Sequence, residues 1–290
     1  MDDIYNLMGN LGMKKKEEDF FRLDGKVIVV TGASGMLGRK HVEAISCYGG
    51  TPISLDLSQE EVDNLSNQMN HKYKVNAIGF SVDISDEISV KNNAKLLFDK
   101  FGKIDGLVNN AANNPKVEDS EDINFSRLEN FSIDLWNKDI LVGLTGSFLC
   151  AKHYGEKISK NPNGGCIVNI SSDLGLIAPD QRLYLKEGID ESLQSVKPVT
   201  YSVVKTGLIG LTRYLATYWA EKNVRCNALC PGGIENGQPL DFIKKLNLRI
   251  PMGRMAVSDE YQSTLVWMLS DSSRYLNGAI IPVDGGRSLW

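Results

Sequence analysis

The chain has 290 residues, of which 42% are hydrophobic and 23% charged, with a formal net charge of −4. That length suits one large α/β domain, and the composition is that of an ordinary soluble globular protein. With no basic stripe and no apolar run near the roughly 20 residues of a membrane span, neither a nucleic acid nor a membrane is expected as a partner.

Residues 1–22 read as an N-terminal extension ahead of the fold. The extension opens Met-Asp-Asp, without the basic start and long apolar run of a secretory signal. Leu7, Met8, Leu11 and Met13 form either a short amphipathic turn against a neighbour or part of a disordered tail. Lys14-Lys15-Lys16, followed at once by Glu17, Glu18 and Asp19, reads as a solvated segment. The five cysteines (Cys47, Cys150, Cys166, Cys226, Cys230) are odd in number and scattered. Cys226 and Cys230 lack companion ligands at zinc spacing, so free thiols, a cytoplasmic location and no metal site are expected.

From residue 23 to 290 the pattern is that of a single domain. Lys26–Thr31 is a β-branched strand, followed by a glycine-rich turn and a helix to about Tyr48. Pro52–Asp56 is a second strand, with a helix to about Asn70. A third strand ends at Val82-Asp83, and a helix runs from about Asp86 to Phe101. Ile104–Asn109 is a fourth strand, and a long helix covers about 133–160. Gly165–Ser171 is a fifth strand, Val224–Leu229 a sixth and Ala279–Val283 a seventh. Strands alternating with helices predict a doubly wound α/β fold, a parallel sheet with helices on both faces. Segments 115–130 and 173–200 look inserted, both after strands at the end where open α/β sheets bind ligands.

Three places carry chemistry. Thr31-Gly-Ala-Ser-Gly-Met-Leu-Gly38 follows the first strand and opens a helix. Gly32 allows the tight turn, Gly35 close approach of backbone to a pyrophosphate, and Gly38 close helix–strand packing. The N–H groups of Ser34 to Leu37 face the phosphate charge. Asp56, at the end of the second strand, suits hydrogen bonds from ribose hydroxyls and repels a 2′-phosphate, which favours NAD over NADP; its alternative role is as cap of the next helix. Tyr201 and Lys205 stand at i and i+4, which puts phenol and ammonium on one helix face. The ammonium favours tyrosinate and is expected to lower the Tyr201 pKa. Spacing alone does not select this pair, since Tyr218 and Lys222 repeat it on the same helix.

Taken in order, Thr31–Gly38, Asp56, Val82-Asp83, Asn109-Asn-Ala-Ala112, Ile170-Ser-Ser172, Tyr201-x-x-x-Lys205, Pro231-Gly-Gly-Ile234 and Val283-Asp-Gly-Gly286 resemble the short-chain dehydrogenase/reductase family over nearly all of residues 22–290. The resemblance implies a Rossmann-type domain with a seven-stranded parallel sheet. It implies an NAD-dependent oxidoreductase working on a small molecule, assembled as a homodimer or homotetramer. It places Asp83 and Ile84 against the adenine, and Asn110, Ala111 and Ala112 along the cofactor. Pro231, Gly232 and Ile234 would cover the nicotinamide. Ser172, with Gly175 three residues on, would hold the substrate oxygen in preference to Ser171. Tyr201 would be the acid–base catalyst and Lys205 would bind the nicotinamide ribose.

The chain departs from the family pattern at three points. Met36 stands where the main branch has its middle glycine. Gly143 stands where a helix Asn usually anchors a water behind the lysine. Ser172 and Tyr201 lie much further apart than usual, so the loop 173–200 should cover the site and carry specificity. In that loop Arg182 and Lys186 either meet an anionic substrate or pair with Asp180 and Glu187. The wording of 173–184 and 197–205 further resembles bacterial members linked to flagellin modification and nonulosonic acid synthesis, which suggests a polar, sugar-derived substrate. Two other readings remain at this stage, a 3-oxoacyl-thioester reductase and an NAD-binding protein with little catalysis.

Overall fold

Val27–Thr31 is apolar along almost its whole length, as a strand covered on both faces should be, and it forms β1 with all five residues buried. The computed structural model describes residues 20–113 and 125–290. In chain order β1 is followed by α1 (Met36–Cys47), β2 (Thr51–Asp56), α2 (Gln59–Tyr73), β3 (Ile78–Ser81), α3 (Glu87–Phe101) and β4 (Gly106–Asn109). Then come a long helix α4 over residues 133–158, β5 (Gly165–Ile170), α5 (Val199–Tyr218) and β6 (Val224–Pro231). Two shorter helices, α6 (Leu240–Asn247) and α7 (Gln262–Leu269), precede β7 (Ile280–Val283). The seven strands form one sheet in the order β3-β2-β1-β4-β5-β6-β7, every pair parallel. This is the expected doubly wound Rossmann-type fold.

Strand alternation sorts the core into two layers. Ile28 and Val30 of β1 turn to one face and pack with Val42 and Ile45 of α1 and Leu265 and Met268 of α7. Val27 and Val29 turn to the other, among Leu97 of α3, Tyr154 of α4 and Leu215 of α5. Helix starts are marked by their caps: Ser58 accepts from the Glu61 N–H, and Asp86 accepts from the Ile88 and Ser89 N–H groups. Cys47 is exposed and the other four cysteines are buried, all as free thiols. Among the described residues no helix is long and apolar enough to cross a membrane.

Some elements differ from their sequence-based bounds. β3 ends at Ser81, because Asp83 has turned its carboxylate onto the Ser85 N–H (2.8 Å) and hydroxyl (2.6 Å). α4 carries two π-helical stretches, Leu141–Thr145 and Ala151–Gly155, which no hydrophobic period signals. α6 and α7 are short additions to the expected set. The extension residues Leu7, Met8, Leu11 and Met13, and most of the first inserted segment, lie outside the described residues.

Candidate active site

The C-terminal ends of the parallel strands open into one cleft of about 880 Å³, the place where open α/β sheets bind ligands. The glycine turn forms one end. Gly32 has φ +63°, and a Cβ there would lie 2.7 Å from Ala111 Cα; at Gly38 a Cβ would come within 2.0 Å of the Gly32 carbonyl oxygen. At Gly35 a Cβ would meet only that oxygen, at 3.3 Å. The turn is therefore held tightly on its protein side, while Gly35, Met36 and Leu37 begin α1 against the cleft.

Asp56 does not cap α2, a task Ser58 performs. One carboxylate oxygen accepts from the Ser34 N–H and the other from the Leu57 N–H, both at 2.8 Å. Each oxygen keeps a further lone pair for a hydroxyl donor. Arg39 bonds the Ser34 carbonyl through Nε (2.7 Å) and approaches Glu61 at 4.0 Å. On the far wall, Asn110 donates to the carbonyls of Thr31 and Gly32, both at 3.0 Å, which ties the end of β4 to the glycine turn. Asp83, Ile84, Ala111, Ala112, Pro231, Gly232 and Ile234 line the same cleft. A glycine cradle at a helix start, an acidic residue beside it and this wall suit a dinucleotide.

Ser172, Tyr201 and Lys205 also line the cleft. Ser171 Oγ is turned away and donates to the Lys205 carbonyl (2.7 Å); a Cβ on Gly175 would strike that hydroxyl at 2.6 Å. Ser172 Oγ instead donates to Asp173 Oδ1 at 2.8 Å and accepts from the Leu174 N–H at 3.2 Å. Lys205 Nζ donates to the Ile170 carbonyl (2.8 Å) and lies 5.8 Å from the Tyr201 ring centroid. Tyr218 is 62% exposed and stacks on Tyr214, away from the cleft, so the second Tyr–Lys pair plays no part here.

The electrostatics correct one expectation. Burial pushes the Tyr201 phenol above its ordinary range; the Ser172 hydroxyl pulls it down, the Asp173 charge pushes it up and Arg287 pulls it down. Lys205 does not lower it as the spacing suggested. Burial, and secondarily Lys197, instead pulls the Lys205 ammonium down to about 8. A buried ammonium of depressed pKa destabilises the fold below pH 8. That penalty fades as pH rises from about 8 towards the unfolded value, because there the unfolded chain alone holds the proton. Lys205→Met should therefore raise the unfolding free energy at pH 7 by about 1–3 kcal/mol. The gap from the wild type should close with rising pH. Urea unfolding of both proteins at pH 7 and pH 9.5 checks this; a variant less stable at pH 7 would contradict it.

Several cleft residues were not legible in the sequence. Arg287 and Asp173 form a buried pair at 2.7 Å, with side chains 8% and 3% exposed. Lys197 Nζ lies 3.9 Å above the Tyr201 ring centroid. Tyr184 and Phe242 form an aromatic wall, their centroids 5.4 Å apart. The only hint of Asp173 and Arg287 was position, one after Ser172 and one after the Gly285-Gly286 pair. The loop 173–200 does reach the site: Leu183 packs with Leu246, Ile250 and Met255, and Tyr184 and Lys197 face the cleft. Arg182 does not line it. Its guanidinium is tied to Asp180 at 2.8 and 3.0 Å and is otherwise exposed, and Asp180 is shared with Arg249. Gly143 sits in the first π-helical stretch, and a Cβ there would fall 2.6 Å from Val204 Cγ1. Val204 thus fills the room a side chain at 143 would need. Among the described residues no cluster of His, Cys, Asp or Glu is arranged to hold a metal.

Comparison with known proteins agrees with this geometry. Residues 26–184 match the family described as short chain dehydrogenase, and residues 188–288 match that described as Enoyl-(Acyl carrier protein) reductase. D-threitol dehydrogenase of Mycolicibacterium smegmatis is 31% identical over 93% of this chain and 95% of its own length. The 3-oxoacyl-acyl-carrier-protein reductase of Aquifex aeolicus is also 31% identical, over 91% of this chain and 98% of its own. Post-translational flagellin modification protein A of Campylobacter coli is 29% identical over 92% of this chain and its whole length. Among solved structures, a gluconate 5-dehydrogenase from Burkholderia cenocepacia is similar in fold, with a TM-score of 0.81, 24% identity and coverage of 94% and 98%.

Proposed function

This chain belongs to the short-chain dehydrogenase/reductase family, and from that premise we propose that it uses NAD to interconvert a hydroxyl and a keto group on a polar, sugar-derived small molecule. The oxidoreductase chemistry on alcohol or keto groups, with a nicotinamide cofactor, comes with the family. What supports the finer reading is the single cleft that brings the glycine turn and Asp56 together with Ser172, Tyr201 and Lys205.

In this reading the turn from Gly32 to Leu37 and the start of α1 hold the pyrophosphate. Asp56 holds the adenosine ribose, and Asp83 and Ile84 flank the adenine. Asn110, Ala111, Ala112, Pro231, Gly232 and Ile234 flank the nicotinamide side. When bound, the nicotinamide supplies the acceptor or donor for hydride. Ser172 holds the substrate oxygen, and Tyr201 takes its proton in oxidation and returns it in reduction. Lys205, beside Tyr201, binds the nicotinamide ribose. We take residues 23–290 as the catalytic domain, 173–200 as its substrate loop, and residues 1–22 as an extension. We also propose assembly of two or four copies through α4 and α5, whose surfaces expose Phe148, Tyr214 and Tyr218.

A polar substrate is favoured by Lys197, Asn236 and Gln238 on the cleft wall, and by the similarity to D-threitol dehydrogenase. The 3-oxoacyl-thioester reading has a relative of equal identity, so the cofactor is the discriminator. NADH should bind at least about tenfold more tightly than NADPH, a difference of ~1.4 kcal/mol. Asp56→Asn, which removes the charge and keeps the size, should erase most of that preference. Fluorescence titration of both cofactors reads it directly; equal or tighter NADPH binding by the wild type would overturn the NAD assignment and favour the thioester reading.

A further inference from the structure

One charged side chain at the substrate end of the cleft is built into the wall but not used up by it. Gly285 and Gly286, with φ of +66° and +87°, turn the chain sharply after β7. Asp284 holds the turn by accepting from the Gly286 and Ser288 N–H groups, both at 2.9 Å. The turn delivers Arg287 to the cleft wall with its side chain 8% exposed. Its Nη1 donates to Asp173 Oδ2 at 2.7 Å. No other guanidinium nitrogen has a protein partner among the described residues, and those nitrogens keep access to the cleft. A guanidinium kept only for the fold gains by using both arms on its carboxylate, and a buried N–H without an acceptor costs stability.

The charges along the cleft are sorted by end. Asp56, Glu61 and Asp83 stand at the end of the glycine turn. Lys197, Lys205 and Arg287 stand at the Ser172 end, where among the described residues Asp173 alone opposes them. A positive pocket with N–H donors to spare suits an anion. Its place narrows which anion. Asp173 stands between Arg287 and Ser172, with Oδ2 on the guanidinium and Oδ1 on the serine hydroxyl. A group that meets Arg287 therefore lies close to the oxygen that Ser172 holds. A planar carboxylate fits the guanidinium fork.

We propose that Arg287, aided by Lys197 on the same cleft, binds a carboxylate of the substrate, so that the enzyme acts on a polyhydroxy acid whose reacting hydroxyl lies a few carbons from the acid group. The inference rests on the dehydrogenase reading above and narrows its substrate class. Arg287 then bridges two carboxylates, that of Asp173 and that of the substrate. Asp173 tunes the site in two ways: it holds the guanidinium in place and draws off part of its charge. Arg287 is a specificity-determining residue, and no bond is made or broken at it. A neutral polyol of the same length fits the room but leaves the N–H donors unfilled, which is the stronger form of discrimination between two substrates of similar size.

The alternative is a pair that only ties the C-terminal turn to the end of β5. Initial rates with NAD⁺ and matched probes separate the two: short aldonic acids, each beside the alditol of the same configuration. The readout is the ratio of kcat/KM, acid over alditol, within each protein, so a general loss of turnover cancels. The wild type should prefer the acid by at least about tenfold. Arg287→Lys keeps the charge without the fork and should lower the ratio. Asp173→Asn returns the full charge of the guanidinium to the cleft and should raise it. Asp173→Asn/Arg287→Met leaves neither charge buried alone, so it should stay folded, and it should erase the preference. Lys197→Met should lower the ratio in part. A pair that serves only the fold moves the ratio in none of them. The proposal is overturned if the wild type takes alditols as well as the matching acids, or if the double variant keeps the preference. Either result leaves the dehydrogenase reading standing. A wild type inert on acids, alditols and the matching ketones sinks both.

Discussion

Tyr201→Phe should lose about 10²- to 10⁴-fold in turnover while binding NADH within about twofold of the wild type. The substitution removes one oxygen and keeps the ring that Lys197 covers. Ser172 would keep its bond to Asp173. The loss should therefore fall on kcat, because the interaction exists for proton transfer rather than for holding the nicotinamide. Burial and Asp173 hold the phenol above its ordinary range. In the oxidation direction the base form is needed, so wild-type activity should climb through the alkaline range. The reduction direction, which needs the phenol protonated, should be flat there. Steady-state rates of both proteins from pH 6 to 10, in both directions, check both statements. A Phe variant within threefold of the wild type would remove Tyr201 from the chemistry.

Arg287→Met should destabilise the protein by about 3–5 kcal/mol, because it leaves the Asp173 carboxylate buried without its partner. The pair sits against Ser172, so the damage reaches the site as well. Asp173 pushes the Tyr201 phenol up and Arg287 pulls it down; removing the arginine should displace the alkaline limb of the oxidation profile to higher pH. The double variant Asp173→Asn/Arg287→Met removes both charges and should recover most of the lost stability, since an absent pair costs far less than a broken one. Urea unfolding of the two variants beside the wild type measures the difference. A single variant within 1 kcal/mol of the wild type would mean that water or another group already screens Asp173.

The sheet and the cofactor end could be read from the chain because their signals are local. A β-branched run such as Val27–Val30, a glycine turn opening a helix, and an acidic residue ending the next strand each express a constraint that acts over a few residues. The spacing of Tyr201 and Lys205 is local too, but only the order of Ser172 and the other motifs along the chain set that pair above Tyr218 and Lys222. Arg287 and Asp173 were not, because 114 positions separate them and only the closed sheet brings them together. For Arg182 the sequence left two roles open, an anionic ligand or an ion pair in the loop. A cation in an inserted loop suggests an anionic ligand, but Asp180 two residues away captures it. The direction of the Tyr201 shift failed because a spacing rule counts charge and not burial. Gly143 looked like a defect and has a packing cause instead, the Val204 side chain against it.

The assignment stands or falls on hydride transfer itself. Wild-type protein mixed with NAD⁺ and a panel of acyclic polyols, sugars and sugar acids should form NADH, followed by its absorbance, with at least one of them, and Tyr201→Phe should form almost none. If both proteins bind NADH equally well, yet no alcohol yields NADH and no matching ketone consumes it, the cleft is a nucleotide-binding site without the chemistry assigned to it.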